Sequence, residues 1–580
     1  MSDTVTLTIN GISVSAPADA TILDAAYAAG VKIPTLCYLK DVNAIGACRM
    51  CLVEIEGARG LQAACVSPIT EGMVVKTNTP ALRASRKGTL ELTLSNHRTD
   101  CLSCSRSTEC ELQTLCNEYG VDMDAFGRSD LEPDIDDSAV HLVRDNSKCI
   151  LCRRCVAVCD KNQHVAVIGA NSRGYETHIS SAFESPLAET SCVHCGQCIA
   201  VCPTGALTER DDTEKVWQAL ADPSKYVIVA PAPSVRAQLG ESFGMPIGTN
   251  VEGKLAAALR RLGFDNVFDV DTAADLTIME EGTELLERIK DGGPFPLITS
   301  CSPGWIKFCE FYFPEFVANL SSCKSPQQMF GAVIKTYYAQ KIDKDPKDLF
   351  VVSVMPCTAK KFEITRDGQS AAGVPDIDVS ITTRELASMI KRAGIIFDRL
   401  PDEEFDPVFG VASGAGHIFG ATGGVMEAAL RTVVEIVTGD RLDNLNFTDV
   451  RGVENIKEAE YNLNGTVVKV AVTSGLQNAF ELLNMIKNGE KEYHFVEIMA
   501  CPGGCVNGGG QPIQSSYTRT VVDLRAERAK ALYSADDAMQ LRRSHDNPVI
   551  KELYDSFLEK PGSHKAHDIL HTKYVKRDIY

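Results

Sequence analysis

Apolar and polar residues alternate at the start of the chain. From Val5 to Val14 an apolar side chain occupies nearly every second position, on either side of Asn10-Gly11. A period of two is typical of a strand with one buried face, and an Asn-Gly pair favours a tight hairpin turn. The pattern therefore predicts two paired strands in a small β-rich domain over residues 1–80, with a helix over residues 21–29.

The pattern changes beyond residue 215, where short apolar runs alternate with helical stretches such as residues 253–262. The runs predict strands over residues 227–232, 266–270, 296–299 and 350–354. Strands separated by helices favour an α/β domain with largely parallel sheets, here over residues 215–520. Cys301 and Cys357 follow two of the runs, and ligands of such sheets collect at the carboxyl ends of strands. The sequence thus predicts a metal site there.

Composition limits the class of partner. The 580 residues predict several domains, and 77 acidic against 58 basic residues give a net charge of −19. This balance disfavours nucleic acid, because phosphate binding needs clustered lysine and arginine. The sequence has no apolar run of the roughly 18 residues that a membrane span needs, and no basic-then-apolar signal segment at its start. We therefore expect a cytoplasmic protein whose cysteines bind metals rather than form disulfides.

Most of the 22 cysteines form tight groups. The spacing C-x2-C-x2-C-x3-C occurs twice, at Cys149, Cys152, Cys155 and Cys159, and at Cys192, Cys195, Cys198 and Cys202. Two such runs hold two 4Fe–4S clusters, and the fourth cysteine of each run ligates the other cluster. They predict a two-cluster ferredoxin-like domain over residues 140–210, in which Cys202 completes the first cluster and Cys159 the second. The acidic, weakly patterned residues 120–147 are interpreted as a linker.

A further set of cysteines lies in the first domain. Its members are Cys37, Cys48, Cys51 and Cys65. A close pair with two outliers, in a small β-rich domain, resembles the 2Fe–2S site of the plant-type ferredoxins, which implies a β-grasp fold. Three cysteines sit closer together in the plant consensus. A zinc site is therefore the alternative.

Residues 81–122 carry one histidine with three cysteines. The set is His97, Cys101, Cys104 and Cys110. These side chains suit zinc as well as an iron–sulfur cluster. Between two ferredoxin-like domains, the segment resembles a 4Fe–4S site of hydrogenases and respiratory complex I that uses the same ligands. A neutral imidazole in place of a thiolate makes such a cluster less negative and raises its reduction potential.

Three further motifs carry the most specific resemblance. They are Thr299-Ser300-Cys301-Ser302-Pro303-Gly304-Trp305, Met355-Pro356-Cys357-Thr358-Ala359-Lys360-Lys361-Phe362-Glu363, and Glu497-Ile498-Met499-Ala500-Cys501-Pro502-Gly503-Gly504-Cys505-Val506-Asn507-Gly508-Gly509-Gly510. Together they resemble the signature of the iron-only (FeFe) hydrogenases, above all the cytosolic clostridial enzymes and the catalytic subunit of NADP-linked hydrogenases. Residues 521–580 resemble the small subunit of periplasmic members. The resemblance implies a multidomain α+β and α/β fold that ends in a helical segment.

The family's active site implies a cofactor, the H-cluster. This is a 4Fe–4S cluster joined through one cysteine to a diiron centre with CO, cyanide and azadithiolate. By resemblance Cys357, Cys501 and Cys505 are ligands, Cys505 is the bridge, and Lys360 donates to an iron-bound cyanide. The resemblance also places five residues around the pocket: Pro233, Ser234, Gln327, Met355 and Met499.

The first motif departs from the family pattern. Two adjacent cysteines are usual there: the second ligates the cluster and the first passes protons. Here the pair is Cys301-Ser302, so position alone makes Ser302 the ligand and Cys301 the relay. A thiolate is a far better iron ligand than a hydroxyl, whereas a hydroxyl can still relay protons. We therefore expect Cys301 as the fourth ligand and Ser302 near the relay, with the reverse assignment open.

The resemblance implies a proton path from the surface. Its residues are Glu281, Glu284, Arg288 and Ser321. Glu281 and Glu284 share one helical face, which without the motifs would predict a solvated acidic surface. Partly buried carboxylates have raised pKa values and can pass protons near neutral pH. Cys323 is a possible further participant, but we expect it in the core with Cys116 and Cys309.

The sequence therefore predicts an FeFe hydrogenase that reversibly reduces protons to H2. Its expected cofactors are one 2Fe–2S cluster, three accessory 4Fe–4S clusters and the H-cluster. The expected partners are ferredoxin or an NAD(P)-linked diaphorase subunit, and maturation proteins for the diiron centre. The alternatives are a non-catalytic electron-transfer subunit, and a relative without the diiron site that serves in cluster assembly or as a sensor. Physiological direction, oxygen tolerance, and monomer or subunit stay open.

Overall fold

The computed structural model describes residues 4–127, 131–453, 455–463 and 465–579. Its N-terminal domain contains β1 (Thr4–Ile9), β2 (Ile12–Pro17), α1 (Ile22–Ala28), β3 (Leu52–Ile55), β4 (Gln62–Ala63) and β5 (Val74–Lys76). The strands form one sheet in the order β2-β1-β5-β3-β4. The predicted hairpin is confirmed: Asn10 and Gly11 both have positive φ, as its tight turn requires. The predicted helix is also confirmed, and Thr21 caps it.

Two helices follow, α2 (Pro80–Ser95) and α3 (Glu111–Tyr119). The first begins at Thr79, whose side chain accepts a hydrogen bond from the Leu82 amide. Leu90 and Leu112 pack with Met50 of the first domain in one apolar cluster. The loop that joins the two helices, which holds the histidine and three cysteines, is therefore fixed against the N-terminal domain.

The third domain contains β6 (Ile135–Asp136), β7 (Leu142–Asp145), α4 (Arg154–Ala157), β8 (Gly169–Asn171), β9 (His178–Ser180), α5 (Gln197–Val201) and β10 (Leu207–Glu209). The linker prediction is wrong over β6 and β7, because β7 pairs with both β6 and β10. Leu142 is buried against Ile199 and Leu207. Part of the predicted linker, residues 128–130, lies outside the described residues.

The large domain has two four-stranded sheets. Its elements are α6 (Thr213–Ala221), β11 (Tyr226–Pro231), α7 (Glu252–Leu262), β12 (Asn266–Val267), α8 (Val270–Asp291), β13 (Leu297–Ile298), α9 (Pro303–Tyr312), α10 (Pro326–Val333), α11 (Ala339–Lys341), β14 (Leu349–Met355), α12 (Lys360–Glu363), β15 (Val379–Thr382), α13 (Thr383–Arg392), α14 (Gly414–His417), α15 (Gly424–Thr438), β16 (Ile456–Leu463), β17 (Thr466–Ser474), α16 (Leu476–Lys487) and β18 (Phe495–Met499). The orders are β12-β11-β14-β15 and β13-β18-β17-β16.

The predicted α/β alternation is confirmed. All pairs in the first sheet are parallel, and only the β16–β17 pair of the second is antiparallel. Two predicted strands are shorter than expected. The run over residues 296–299 forms only β13, and the run over residues 266–270 ends at Val267. The latter ends there because Asp269 accepts a hydrogen bond from the Asp271 amide and starts α8 at Val270.

The C-terminal segment is helical, as predicted. It contains α17 (Ser516–Val521), α18 (Leu524–Ala538), α19 (Pro548–Leu553) and α20 (His564–Leu570). Asp536 of α18 forms a buried ion pair with Arg431 of α15 at 2.8 Å. Among the described residues, no helix combines the length and the apolar character that crossing a bilayer demands.

Candidate active site and accessory metal sites

Four strands of the large domain, β11, β13, β14 and β18, point their carboxyl ends towards one cavity of about 800 Å³. Parallel strands of a sheet end at the same edge, so the segments that follow them meet. The cavity is lined by the residues expected there: Cys301, Ser302, Cys357, Cys501, Cys505, Pro233, Ser234, Gln327, Met355, Lys360 and Met499. The expected metal site is thus a preformed hollow with three strand-end cysteines and one lysine.

Glycines let the third motif close tightly on this cavity. Gly504 has a φ of +91°, which L side chains rarely adopt. A Cβ at Gly508 would lie 2.2 Å from the carbonyl oxygen of Pro356. Both positions therefore need glycine to hold Cys505 where it is.

Lys360 is fixed at the cavity wall. Its Nζ donates to Oε2 of Glu363 at 2.9 Å, to Oγ of Ser325 at 2.8 Å and to the carbonyl oxygen of Cys301 at 3.2 Å. Glu363 also accepts from Nε2 of Gln327 at 2.9 Å. Sequence reasoning missed Glu363, although its place three residues after Lys360 on a helix was a usable signal. Because the ammonium group of Lys360 is fixed at the wall, it favours the binding of an anionic group in the cavity.

Cys301 and Ser302 face different sides of the cavity. Burial raises the pKa of the Cys301 thiol well above its usual value, and the charge of Glu281 adds to this effect. Cys301 also packs against the apolar cluster that includes Ile278 of α8. Oγ of Ser302, in contrast, accepts a hydrogen bond from the amide of Ala500 at 3.2 Å. The thiol therefore lies on the side of the acidic helix, and the hydroxyl lies beside the third motif.

The expected proton path forms one line of contacts. Oγ of Ser321 donates to Oε2 of Glu284 at 2.8 Å, and Ser321 also neighbours Glu281, whose pKa it acts to lower. Nη2 of Arg288 donates to Oε1 of Glu284 at 2.7 Å. Burial, and after it the charge of Glu284, raise the pKa of Glu281 to about 8. Glu281 can thus hold a proton at neutral pH.

Cys323 lies nearer to this path than the sequence indicated. It is fully buried, and its Sγ is 4.0 Å from Oε2 of Glu284. Cys309 is in the core, as expected. Cys116 packs partly buried against the cluster that includes Leu90.

The four cysteines of the N-terminal domain come together as two pairs. Sγ of Cys51 lies 3.4 Å from Sγ of Cys65, and Cys37 hydrogen-bonds to Cys48. Three of the four are buried. A cluster of two irons needs two thiolates at each iron, and this pairing fits it.

His97 fits a ligand role. Burial lowers its pKa to about 4, so its imidazole is neutral at neutral pH, as metal ligands are. Its Nδ1 is buried without a hydrogen-bond partner among the described residues. Beside it in the chain, Cys104 and Cys110 lie against residues 203–205: Sγ of Cys110 is 3.5 Å from the carbonyl oxygen of Pro203.

The two-cluster domain contains two separate cavities. One, of about 390 Å³, is lined by Cys149, Cys152, Cys155 and Cys202. The other, of about 570 Å³, is lined by Cys159, Cys192, Cys195 and Cys198. The last cysteine of each run therefore lines the cavity of the other run, as the spacing predicts.

The five sites are linked by short contacts. Nδ2 of Asn43 donates to the carbonyl oxygens of Cys37 at 2.8 Å and Cys152 at 3.1 Å. Cys195 lines both the second 4Fe–4S cavity and the catalytic cavity. Among the described residues, no three His, Cys, Asp or Glu side chains converge as for a single metal ion. Cluster ligands need not do so, because they are distributed over two or four irons, with no more than two at any one iron.

Five family descriptions match the chain. "2Fe-2S iron-sulfur cluster binding domain" covers residues 2–80, "NADH-ubiquinone oxidoreductase-G iron-sulfur binding region" 86–124, and "4Fe-4S dicluster domain" 148–206. "Iron only hydrogenase large subunit, C-terminal domain" covers residues 225–509, and "Iron hydrogenase small subunit" 522–577. These matches support iron–sulfur clusters over zinc at the two N-terminal sites.

Full-length relatives decide the family. NADP-reducing hydrogenase subunit HndD of Solidesulfovibrio fructosivorans is 49% identical over 99% of this chain and 99% of its own length. This chain belongs to the iron-only hydrogenases. Iron hydrogenase 1 of Clostridium pasteurianum, 46% identical, spans 98% of this FeFe hydrogenase and 100% of its own length.

A solved structure supports the same conclusion for the catalytic domain. Apo [FeFe]-hydrogenase HydA1 from Chlamydomonas reinhardtii, in a variant form, matches with a TM-score of 0.56 and 44% identity. The match covers 62% of this FeFe hydrogenase and 98% of that chain. The expected enzyme class, an oxidoreductase acting on H2, is confirmed, and so are the iron–sulfur domains.

Proposed function

We propose that this FeFe hydrogenase reversibly reduces protons to H2 with one 2Fe–2S cluster, three accessory 4Fe–4S clusters and the H-cluster. The observation that carries the proposal is the catalytic cavity, in which Cys357, Cys501 and Cys505 meet Lys360. Soft thiolates suit iron, and the ammonium suits an anionic diatomic ligand. The residues therefore fit the group, which when bound supplies the H2 chemistry.

The chain's own residues hold and orient that group. Cys505 would join the 4Fe–4S cluster of the H-cluster to the diiron centre, and Cys357 and Cys501 would hold that 4Fe–4S cluster. Met355 and Met499 supply apolar walls at the ends of β14 and β18. Pro233, Ser234 and Gln327 complete the pocket. The cavity is mostly apolar, so it keeps water from the reacting atoms.

Electrons would travel along a forked chain of sites. Asn43 joins the 2Fe–2S site to Cys152, and Cys110 of the histidine site contacts Pro203, next to Cys202. Both N-terminal sites thus abut the same 4Fe–4S cavity. The second 4Fe–4S cavity then leads to the catalytic cavity through Cys195. In this arrangement electrons enter through either of the two N-terminal sites and reach the catalytic cavity through the second 4Fe–4S site.

Protons would take a separate route through Glu284, Ser321 and Glu281. The Arg288 guanidinium holds the Glu284 carboxylate, and Ser321 bridges to Glu281. Because Cys301 packs against the cluster that includes Ile278 of α8, and the charge of Glu281 acts on its thiol, we infer that Cys301 ends this route and that the Ser302 hydroxyl occupies the fourth ligand position. This reverses the assignment that donor chemistry alone predicts, and it agrees with the family's positions.

The electron partner is proposed to be a diaphorase subunit that reacts with NAD(P), rather than free ferredoxin alone. The support is the relative named a subunit of an NADP-reducing hydrogenase, which matches over the full chain. Maturation proteins would supply the diiron part. Location in the cytoplasm stays a prediction.

Infrared spectra of the matured protein test the proposal. We expect bands from CO and cyanide, and their loss in Cys505→Ala while the EPR signals of the accessory clusters persist. Cys116→Ala, in a cysteine assigned to none of the sites, is the matched control and should keep the bands. A Cys505→Ala protein with parent-like bands and H2 evolution would refute the assignment.

A further inference from the structure

The outer end of the proposed proton route carries a group that cannot relay protons. Arg288 is the last residue of that route, and its Nη2 is ion-paired with Glu284 at 2.7 Å. A guanidinium stays protonated in proteins, so it can hold the carboxylate but cannot take up and release a proton. The Glu284 side chain is only 16% exposed, so a group that carries protons from the solvent would add to direct exchange with water.

The C-terminal segment brings an imidazole to the other side of Glu284. The amide of Thr572 donates to the carbonyl oxygen of Ser322 at 2.8 Å, and the amide of Lys324 donates to that of Leu570 at 2.8 Å. These bonds hold the end of α20 along residues 322–324. His571 is therefore fixed beside the loop that contacts Glu284.

His571 has defined contacts at both ring nitrogens. Its Nδ1 lies 2.8 Å from Oγ of Ser322, and its Nε2 lies 3.1 Å from Oε2 of Glu280. Glu280 is itself held by the Tyr554 hydroxyl and by the amide of Gly562 at 3.0 Å. A carboxylate fixed in this way orients the imidazole and leaves Nδ1 directed at the serine.

Ser322 joins this imidazole to the relay. Its amide donates to Oε2 of Glu284 at 3.2 Å while its hydroxyl faces His571. On the outer side, the ring of His567 lies against that of His571, with centroids 4.0 Å apart. His567 is exposed, whereas the His571 side chain is only 6% exposed. The contacts thus run from solvent through His567 and His571 to Ser322, whose amide borders the partly buried Glu284 carboxylate.

We propose that His567, His571 and Ser322 form a histidine arm of the proton relay, with Glu280 as the positioning residue of His571. An imidazolium at His571 gives one proton to the Ser322 hydroxyl. That hydroxyl then turns from His571 towards the Glu284 carboxylate, which the Ser322 amide already contacts, and passes on its own proton. A neutral imidazole and a carboxylic acid remain, and no electrons move. In H2 oxidation the same steps run in reverse. The arm rests on the proposed route through Glu284 and Glu281.

Conservative variants separate proton transfer from simple positioning. His571→Gln keeps hydrogen-bonding groups towards Ser322 and Glu280 but cannot carry a proton, whereas His571→Ala loses both properties. We expect both variants to slow H2 evolution by about tenfold at saturating reductant, which is a barrier increase of about 1.4 kcal/mol. The solvent deuterium isotope effect should rise, because proton delivery becomes rate-limiting. His564→Gln, in an exposed histidine of α20, is the matched control and should match the parent.

The outcomes are distinct. If His571→Gln turns over at the parent rate with an unchanged isotope effect, the histidine arm is overturned, even if His571→Ala is slow, since His571 would then only support the loop. Glu284→Gln tests the underlying route: a parent-like Glu284→Gln refutes the route itself, whereas a slow Glu284→Gln with a normal His571→Gln refutes the arm alone. If the His571 variants do not fold, Ser322→Ala replaces them and should show the same slower rate and larger isotope effect. A parent-like Ser322→Ala also overturns the arm.

Discussion

For the fourth ligand of the catalytic 4Fe–4S cluster, the side-chain chemistry favours Cys301, whereas the position in the motif favours Ser302. The hydroxyl lies beside the amide of Ala500, next to Cys501, and Cys301 lies towards Glu281. An un-ionised hydroxyl binds iron far more weakly than a thiolate. If Ser302 occupies the fourth position, one iron of the cubane has a weak ligand, and its environment should differ from that of a four-thiolate cluster.

Two single variants decide this assignment. Ser302→Cys should restore a four-thiolate cluster and change the EPR signal of the catalytic cubane, while Cys301→Ala should keep its iron and slow only proton-coupled turnover by about 100-fold. Iron counts and EPR of both proteins check this. Loss of cubane iron in Cys301→Ala would instead establish Cys301 as the ligand, which is the assignment that donor chemistry predicts.

Glu281 should make stability depend on pH. Burial raises its pKa to about 8, above the ordinary value of 4.5. Between these values the folded state binds more protons than the unfolded state, so this group lowers stability as the pH rises from about 4.5 to about 8. The side chain in Glu281→Gln does not titrate, so this variant lacks the decrease of stability with rising pH.

The stability of Glu281→Gln relative to the parent should therefore increase between pH 5.5, about one unit inside this window, and pH 8.5, about half a unit above it. Denaturant unfolding of the apoprotein at the two pH values measures it. Glu287→Gln, in an exposed residue of the same helix, should show no such trend. A pH-independent difference in Glu281→Gln would contradict the raised pKa.

At the scale of elements, the sequence was informative where periodicity was strong. The hairpin of β1 and β2, the capped α1 and the runs that became β11 and β14 were predicted from alternation and apolar length. The strands β6 and β7 were missed because they are two and four residues long, too short for a period to show. Their pairing depends on β10, which is distant in the chain.

Contacts between distant segments had no local signal. The position of His571 beside Ser322 and Glu280 results from packing of the C-terminal segment across α8 and α10. Neither the spacing of histidines nor the charge pattern indicates it. The cysteine crossover, in contrast, could be predicted, because the spacing within each run limits which thiols can share a cluster.

The C-terminal segment is also bound by a buried ion pair. Asp536 of α18 is fully buried and accepts from Arg431 at 2.9 and 2.8 Å. Arg431 also pairs with the buried Glu427 at 2.7 Å, so removal of the Asp536 charge takes away one of its two carboxylate partners. Asp536→Asn should therefore lower the free energy of unfolding by about 1.5–3 kcal/mol, the range for a hydrogen bond to a charged group.

Denaturant midpoints measure this effect. Asp537→Asn is the matched control: its side chain is 50% exposed, although it too pairs with an arginine. Exposed pairs contribute about 0–1 kcal/mol, so its midpoint should move little. Equal shifts of the midpoint in both variants would show that the contribution of Asp536 to stability does not depend on its burial.

At the scale of the whole molecule, the proposed routes of electrons and protons reach the catalytic cavity through different elements. Cys195 and the accessory sites approach from one side, and α8 with its carboxylates from another. The two N-terminal sites join at one 4Fe–4S cavity. Loss of one branch should thus affect electron supply without touching the site of H2 chemistry.

His97 offers the sharpest test of this separation. His97→Ala removes the neutral imidazole from the branch beside Cys104 and Cys110, so dye-linked H2 evolution should fall several-fold, by about three- to tenfold. H2/D2 exchange needs no external electrons and should survive, as should the EPR signal of the 2Fe–2S site on the other branch. His164→Ala, in a histidine that contacts Gln477 outside the cluster sites, is the control. If exchange collapsed as completely as dye-linked turnover, His97 would act on the catalytic cavity itself, and the forked electron path would have to be abandoned.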